Sequence, residues 1–292
     1  MKKKLLSLAL SGIMLLSLVA CGNSGHESNP SSESQGNYSE ATSTDKVENV
    51  DMTVSVGMWD TDGSHNFTDC SGNYSGEMLN DAPNGNGSFS YEKDGMVLSY
   101  EGQFENGTFN GEGVLTFSTS EGEVELYQNG TFINGLFQPN TPELFNSISD
   151  LTTPSFSIST ENVSFMQEHL NLFPAATDAD LTEAQTFVKS DLTYPMMTKT
   201  LDGLEGALYS YTPAHAIQVF QEDIYGHTIT YILCGDENGN YYSIFYDGVL
   251  PDVYDGVYIS FTGLPVSPSG FENVGGGTTN VMVIIASSVA VI

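Results

Sequence analysis

The sequence predicts a mainly β protein, in which an antiparallel sheet of hairpins is followed by one or two short helices and a small β-barrel. A repeated pattern of tyrosine, phenylalanine and glycine between residues 72 and 137 predicts the hairpins. Two segments with apolar residues at helical spacing come next, between residues 164 and 188. From residue 207 onward, short apolar or alternating runs separated by Gly, Asn and Asp indicate strands joined by turns.

The N-terminus has the features of an export signal. Lysines at positions 2–4 precede an uncharged, mainly apolar run from Leu5 to Leu18, which is too short for an ordinary transmembrane helix. Residues 1–20 are therefore predicted to be a signal peptide. The Leu-Val-Ala-Cys sequence that ends at Cys21 resembles the lipobox of bacterial lipoproteins. This resemblance implies cleavage before Cys21, lipidation of its sulfur, and an anchor in the cell membrane with the protein facing outside the cytoplasm. A secretory signal that contains a cysteine by chance is the alternative.

The segment from residue 21 to residue 50 is rich in Ser, Asn, Glu, Gly and Thr and has few apolar residues. Such a composition cannot bury enough apolar surface to fold. It predicts a disordered tether between the membrane and the folded part.

The net charge argues against one class of partner. The chain has a formal net charge of −30, with seven lysines and no arginine. Because each phosphate contact in a nucleic-acid complex needs a Lys or Arg, no binding to nucleic acid is expected.

Two repeat units align without a gap at residues 74–89 and 100–115, and a shorter one follows at 130–135. The Asn106-Gly107 pair is a signal for a two-residue hairpin turn. The second unit reads Tyr-x-Gly-x-Phe-x-Asn-Gly and then Gly-x-Gly, which resembles the MORN repeat. The first unit departs from that pattern at Met78 and Asp81, and the third has Gln128 in the place of the leading tyrosine.

The resemblance implies that residues 51–137 form a MORN-repeat-like β-sheet, with the segment before the first unit as its cap. Most repeat tyrosines and phenylalanines are expected to stack in its core. Tyr91 and Tyr100 are candidates for outward-facing aromatic side chains that could contact a ligand.

A linker with one short turn at residues 142–145 is predicted at residues 138–160, where Pro139, Pro142 and Pro154 lie among Ser and Thr. A first helix is expected from Ser164, which has capping-box spacing to Gln167, until Pro174 ends it. A second is expected from about Asp178.

Residues 161–292 are predicted to combine the helical pair with a barrel. The predicted strands cover residues 207–211, 214–222, 228–234, 241–246, 257–262 and 280–292. They are expected to close around Ile217, Val219, Ile229, Tyr231, Leu233, Ile244, Ile259, Phe261, Val283 and Ile285. This region resembles short OB-fold-like modules of lipoproteins from Gram-positive bacteria. The resemblance rests on Phe173-Pro174-Ala175, residues 217–222, Tyr241-Tyr242, Gly263-Leu264-Pro265 and residues 272–277, and it implies a barrel but no known reaction.

Catalytic, metal-binding and cofactor-binding residues are not predicted. The five histidines have no Cys, His or carboxylate at a metal or triad spacing, and the acidic loop around Asp236 lacks the ligand order of a calcium-binding EF-hand. Cys70 and Cys234 fall in different predicted modules, so a disulfide between them is left open.

The sequence therefore predicts a non-catalytic cell-surface lipoprotein that acts as a binding or scaffold module for protein or carbohydrate at the cell envelope. Its binding residues are not specified. One alternative is a glycan-acting or accessory hydrolase that uses acids such as Asp252, Asp255 and Glu272. Another is a calcium-dependent adhesin, which the excess of acidic residues suggests.

Overall fold

The computed structural model describes residues 45–60, 64–272 and 276–292. The predicted signal peptide, Cys21 and residues 21–44 of the predicted tether lie outside these residues. The described part contains twelve strands: β1 Asp45–Trp59, β2 His65–Leu79, β3 Ala82–Lys93, β4 Met96–Glu105, β5 Thr108–Thr119, β6 Val124–Ile133, β7 Leu136–Phe137, β8 Tyr209–Ile224, β9 His227–Gly235, β10 Tyr241–Asp247, β11 Tyr258–Glu272 and β12 Thr278–Val291. Its four helices are α1 Thr141–Ile148, α2 Thr160–Glu168, α3 Asp178–Thr186 and α4 Tyr194–Lys199.

The predicted mainly β fold is confirmed, and its first part is a seven-stranded antiparallel sheet. The strands follow one another from β1 to β7 in sequence order. The first strand begins earlier than expected, because Asp45 already pairs with Met78 and Val50 pairs with Tyr74. The prediction of a disordered tether is therefore wrong for residues 45–50, which belong to β1 and pair with β2 on both sides of a register shift between Val47 and Val50.

Positive φ angles at the turns and hydrogen bonds between neighbouring turns explain the hairpins. Asn106 and Gly107 both have positive φ angles, of 50° and 84°, as a two-residue hairpin turn requires. Asp81 adopts a φ of 62° in the first unit and so takes the place of the turn glycine. Neighbouring turns are also linked, since Gly107 N–H donates to the Pro83 carbonyl at 2.9 Å.

The glycines of each unit make room for a tyrosine ring. A β-carbon at Gly113 would lie 2.5 Å from Cζ of Tyr100, so this ring occupies the space that a side chain would fill. Tyr100 stacks on Phe109 with ring centroids 3.8 Å apart, and its hydroxyl donates to the Gln103 carbonyl at 2.9 Å. The expectation that Tyr100 faces outward is wrong, because it is 2% exposed. Tyr91 is half-buried and packs against the same core.

The tip of the β1–β2 hairpin extends beyond β3 and reaches the last hairpin of the sheet. Gly57 N–H donates to the Gly135 carbonyl at 2.8 Å. Val54, Val56 and Cys70, on the same hairpin, are buried in the core. The hairpin tip therefore covers part of the core face of the sheet, as the predicted cap was expected to do.

The predicted linker at 138–160 contains helix α1 and is part of the core. Asn140 and Glu143 form a reciprocal capping box at the start of this helix. Leu144, Phe145 and Ile148 are at most 1% exposed. The prolines suggested a linker, but Pro142 lies in the first turn, where a helix tolerates proline.

The later helices partly match the prediction. Helix α2 begins four residues before the predicted capping residue Ser164, because Ser159 caps it by accepting the Asn162 N–H. Helix α3 begins at Asp178 as predicted, and Thr177 caps it. Helix α4 was not predicted.

The second part is a closed five-stranded barrel with the neighbour order β10-β12-β11-β8-β9. Strand β10 runs parallel to β12, and the other neighbours are antiparallel. The predicted strands 207–211 and 214–222 are a single strand, β8, which continues through Pro213. Strand β11 extends ten residues beyond its predicted end at 262, to Glu272.

The prediction that the ten named residues form one interior of the barrel is wrong, because they do not share one apolar cluster. Ile229, Tyr231 and Leu233 belong to one apolar cluster, whereas Ile244, Ile259 and Phe261 belong to another. Strand β9 is buried on both faces over most of its length, and β12 is so over residues 281–287, so alternation could not show which face points inward. Ile217 is 42% exposed and does not belong to either cluster.

One apolar cluster joins the sheet to the barrel. It runs from Phe89 and Phe132 of the sheet, through Phe145 of α1, to Phe245 and Val283 of the barrel. The ring centroids of Phe145 and Phe245 are 6.3 Å apart. The sheet, helices α1 to α3 and part of the barrel therefore share one core, whereas α4 packs with the second cluster of the barrel.

Candidate functional site

An open cleft of about 530 Å³ lies where the sheet meets the barrel. The end of the β1–β2 hairpin forms one wall, and the β6–β7 turn with the residues after it forms another. The β8–β9 turn of the barrel closes the cleft on the third side. Its lining residues are Trp59, His65, Phe67, Ile133, Asn134, Leu136, Gln138, Pro139, Tyr225, Gly226 and His227.

Trp59, the only tryptophan of the chain, is fixed between the sheet and the barrel. Its indole N–H donates to the Phe137 carbonyl at 2.7 Å. A β-carbon at Gly226 would lie 3.1 Å from Cη2 of Trp59, so the glycine allows the barrel turn to approach the indole closely. Gly226 also adopts a φ of +82°, a backbone conformation that favours glycine.

Three aromatic rings follow one another along the hairpin wall of the cleft. His65 packs edge-on against Trp59 with ring centroids 5.2 Å apart, and against Phe67 at 5.7 Å. Phe67 is 48% exposed, although phenylalanine is usually buried. This wall therefore offers a ring face to solvent.

Amide side chains lie close to these rings. Asn134 and Gln138 are exposed, and each carries both hydrogen-bond donors and an acceptor. The backbone N–H of Asn134 is bonded to Oδ1 of Asn110, which fixes the turn that carries it. The cleft thus combines aromatic faces with neutral polar groups.

His227 forms the floor of the cleft and links the barrel to the segment before α1. Its Nδ1 lies 3.0 Å from both carboxylate oxygens of Asp247, and its Nε2 lies 2.8 Å from the Pro139 carbonyl oxygen. Because both neighbours are acceptors, both ring nitrogens donate and the imidazole is protonated. The hydrogen bond to Asp247 is the main cause that raises the pKa of His227 above its usual value.

Asp247 is the second member of this charged pair. Its carboxylate also accepts a hydrogen bond from the Thr141 hydroxyl at 2.7 Å, from the first turn of α1. The Asp247 side chain is 11% exposed and that of His227 is 25% exposed. The pair therefore ties β9 and β10 to the chain that enters α1.

The two cysteines of the described part are free and buried, so they do not form a disulfide with each other. Burial raises the pKa of the Cys70 thiol to about 11 and also raises the pKa of Cys234. Both are therefore protonated thiols at neutral pH, with little nucleophilic character.

The acids of the hydrolase alternative are not brought together. Asp252 and Asp255 precede β11, whereas Glu272 ends it, so the full length of a 15-residue strand separates them. Asp255 accepts the Val219 N–H at 2.8 Å, and Asp236 is engaged by the N–H groups of its own turn. Within the described ranges, no three His, Cys, Asp or Glu residues are grouped so that they could hold a metal ion.

Sequence reasoning did not find the cleft. Its aromatic residues come from positions 59–67 and 225, and its amides from 134 and 138, so no local pattern connects them. The single tryptophan, at the end of an alternating segment, was the one available signal.

Comparisons with known proteins bear on the sheet alone. Among the described residues, none of the helices is both long enough and apolar enough to cross a bilayer. Searches of curated proteins and of solved structures gave no significant match. The family model of the MORN repeat matches residues 74–96 and 100–121, and over these two segments the chain is similar to MORN repeats.

Proposed function

We propose that this protein is a lipid-anchored, non-catalytic lipoprotein that binds carbohydrate at the outside of the cell membrane through the cleft between its sheet and its barrel. The observation that carries the proposal is the wall formed by Trp59, His65 and Phe67, with the amides of Asn134 and Gln138 beside it.

The chemistry of the cleft favours a neutral sugar over an anion. The apolar face of a sugar ring packs on an aromatic ring, and its hydroxyl groups exchange hydrogen bonds with amides. Lysine and arginine do not occur among the described residues that line the cleft. Asp247 lies directly below its floor, bonded to His227. The cation that a phosphate or carboxylate would meet there is His227, whose charge Asp247 already neutralises.

The barrel supports an OB-fold-like assignment for the second half of the chain. OB folds are five-stranded barrels, and several of them bind oligosaccharides. The described barrel is closed and has five strands. The OB-fold-like assignment is part of this proposal, and the function is argued from the cleft because fold analogy alone does not establish function.

Binding to the cleft can be measured through the intrinsic fluorescence of Trp59. We expect neutral oligosaccharides prepared from cell-envelope polysaccharide to change its emission with a saturable dependence on concentration. Phe67→Ala should weaken this binding about tenfold, because the exposed ring of Phe67 contributes stacking area without supporting the core. Tyr127→Ala removes an equally exposed ring from β6 and is the matched control.

An unchanged affinity of Phe67→Ala, with both variants melting at the temperature of the parent, would rule out the aromatic wall as the binding surface. Saturable binding of a protein from the envelope that is lost in Phe67→Ala would instead favour the protein-binding form of this function.

Anchoring depends on Cys21 if the N-terminal resemblance holds. Cells that express Cys21→Ala should release the protein or accumulate the unprocessed precursor, because the sulfur that accepts the lipid is absent. Labelling with a fatty-acid probe measures this directly. Equal labelling of Cys21→Ala and the parent would contradict lipidation at this residue, and Ser24→Ala provides a control for substitution near the cleavage site.

A further inference from the structure

A row of neighbouring residues crosses β11, β8, β9 and β10 near one end of the barrel and includes Ile292, which follows β12. Ile292 N–H donates to the Tyr258 carbonyl, Tyr258 pairs with His215, His215 pairs with Gly235, and Gly235 pairs with Tyr241. We call these five residues the rim row. Tyr258, Tyr241 and Ile292 are between 36% and 63% exposed, and the ring centroids of His215 and Tyr258 are 5.2 Å apart.

Gly235 forms a notch in the middle of the rim row. A β-carbon at this position would lie 3.4 Å from Cε1 of Tyr241 and 3.5 Å from Cδ1 of Ile217, which are ordinary contact distances. Tyr241 and Ile217 are thus the two sides of a gap whose bottom is the glycine backbone. Ile217 is itself exposed, so the row and the notch form one apolar surface. Exposed apolar surfaces of this kind mark interaction sites.

Carboxylates stand on both sides of this surface. Glu237 is exposed in the turn that follows Gly235. Asp255 is exposed beside β8, where it accepts the Val219 N–H. No lysine or arginine follows Lys199 in the sequence, so these acids have no basic neighbour on the barrel strands.

This charge pattern excludes two other occupants. Residues 22–44 of the same chain contain three glutamates and no lysine or arginine, and they would bring like charge to the rim row. A second copy of the chain, with its formal charge of −30, would do the same.

We propose that the rim row is a docking surface for a basic segment of a partner protein, one that presents an Arg or Lys beside an apolar side chain. The cation stacks on Tyr258 or Tyr241 and faces the carboxylates of Glu237 and Asp255. The apolar neighbour enters the notch above Gly235. This surface is separate from the aromatic cleft, which is lined by none of the residues of the rim row.

The proposal is tested with the full chain and a labelled ten-residue peptide in which Arg and Leu alternate, by fluorescence anisotropy at physiological salt. We expect Tyr258→Ser and Tyr241→Ser each to weaken binding about tenfold. Gly235→Ala should weaken it several-fold, because its methyl group fills the notch while keeping ordinary contacts. A peptide with Gln in place of each Arg should bind much more weakly than the original.

Two matched controls separate the rim row from the general acidity of the chain. Tyr127→Ser removes an exposed tyrosine of the sheet, and Glu121→Gln removes an exposed carboxylate of the β5–β6 turn. Binding to either control should equal that of the parent, whereas Glu237→Gln should weaken it. Melting temperatures establish that each variant is folded.

Two results would overturn the proposal. The first is equal weakening by Glu121→Gln and Glu237→Gln with no effect of the rim substitutions, which would mean unspecific attraction. The second is loss of neutral maltohexaose binding, and not of peptide binding, in Tyr258→Ser, which would assign the rim row to a sugar. Binding in the cleft is tested separately, through the emission of Trp59 and the Phe67→Ala variant.

Discussion

Gly102→Ala is expected to lower the free energy of unfolding by about 3 kcal/mol or more, at the upper end of the range for overpacking. A β-carbon there would lie 2.5 Å from the Glu112 carbonyl oxygen and 2.8 Å from the Tyr100 hydroxyl, with Gly113 Cα closer still. Gly102 pairs directly with Gly113 across β4 and β5, so the neighbouring backbone cannot move without loss of that pairing. Urea denaturation followed by circular dichroism measures the change.

Gly122→Ala separates close approach from backbone conformation. Gly122 has a φ of +86°, but a β-carbon there would meet no atom of the described residues within 4 Å. Only conformational strain opposes this substitution, at a cost of about 1 kcal/mol. Equal losses in the two variants would show that packing between neighbouring strands does not explain the repeat glycines.

The second large effect is expected for Asp247→Asn. At pH 6 it should lower the free energy of unfolding by about 2 kcal/mol, which is less than for a fully buried ion pair because His227 is partly exposed. The substitution removes the negative charge opposite the imidazolium and weakens a hydrogen bond to each of His227 and Thr141. Thermal melts at a series of pH values measure the difference.

The sign of the pH dependence follows from the raised pKa of His227. A group whose pKa is higher in the folded state stabilises that state fully below the pKa in the unfolded chain, which is about 6.5 for histidine. This stabilisation is lost as the pH rises through the folded-state pKa of His227. The difference between the parent and Asp247→Asn should therefore shrink between pH 6 and pH 9. A constant difference between pH 6 and pH 9 would contradict protonation of His227 in the folded state.

The sheet could be predicted because its determinants lie close together in the chain. The hairpin turn requires positive φ angles at Asn106 and Gly107, and the tyrosine ring requires a glycine beside it. Each repeat unit therefore contains the residues that determine its own hairpin. The orientation of Tyr100 was nevertheless missed. Tyr100 pairs with Leu115 on β5, but its ring lies over Gly113, two residues earlier on that strand, and the alternation of strand residues does not reveal this.

The junction could not be predicted in this way. Helix α1 was predicted only as a short turn at residues 142–145, because prolines surround it. Its apolar residues acquire their role only because the barrel strand β10 lies opposite them. The cleft joins Trp59, Asn134 and Gly226, which are far apart in sequence and show no common period. The interior of the barrel could not be predicted either. Long stretches of β9 and β12 are buried on both faces, and an apolar stretch does not show which side faces inward.

The continuous core has a consequence for how the molecule can be divided. Phe137 packs against Phe132 of the sheet and Tyr225 of the barrel, and Phe145 and Phe156, which precede the barrel in the chain, pack against Phe245 of β10. Either half alone would expose those rings to water. Although the chain joins two architectures, it is expected to melt in a single cooperative transition, and its repeats cannot be exchanged as a cassette without redesign of the surface they share with the barrel.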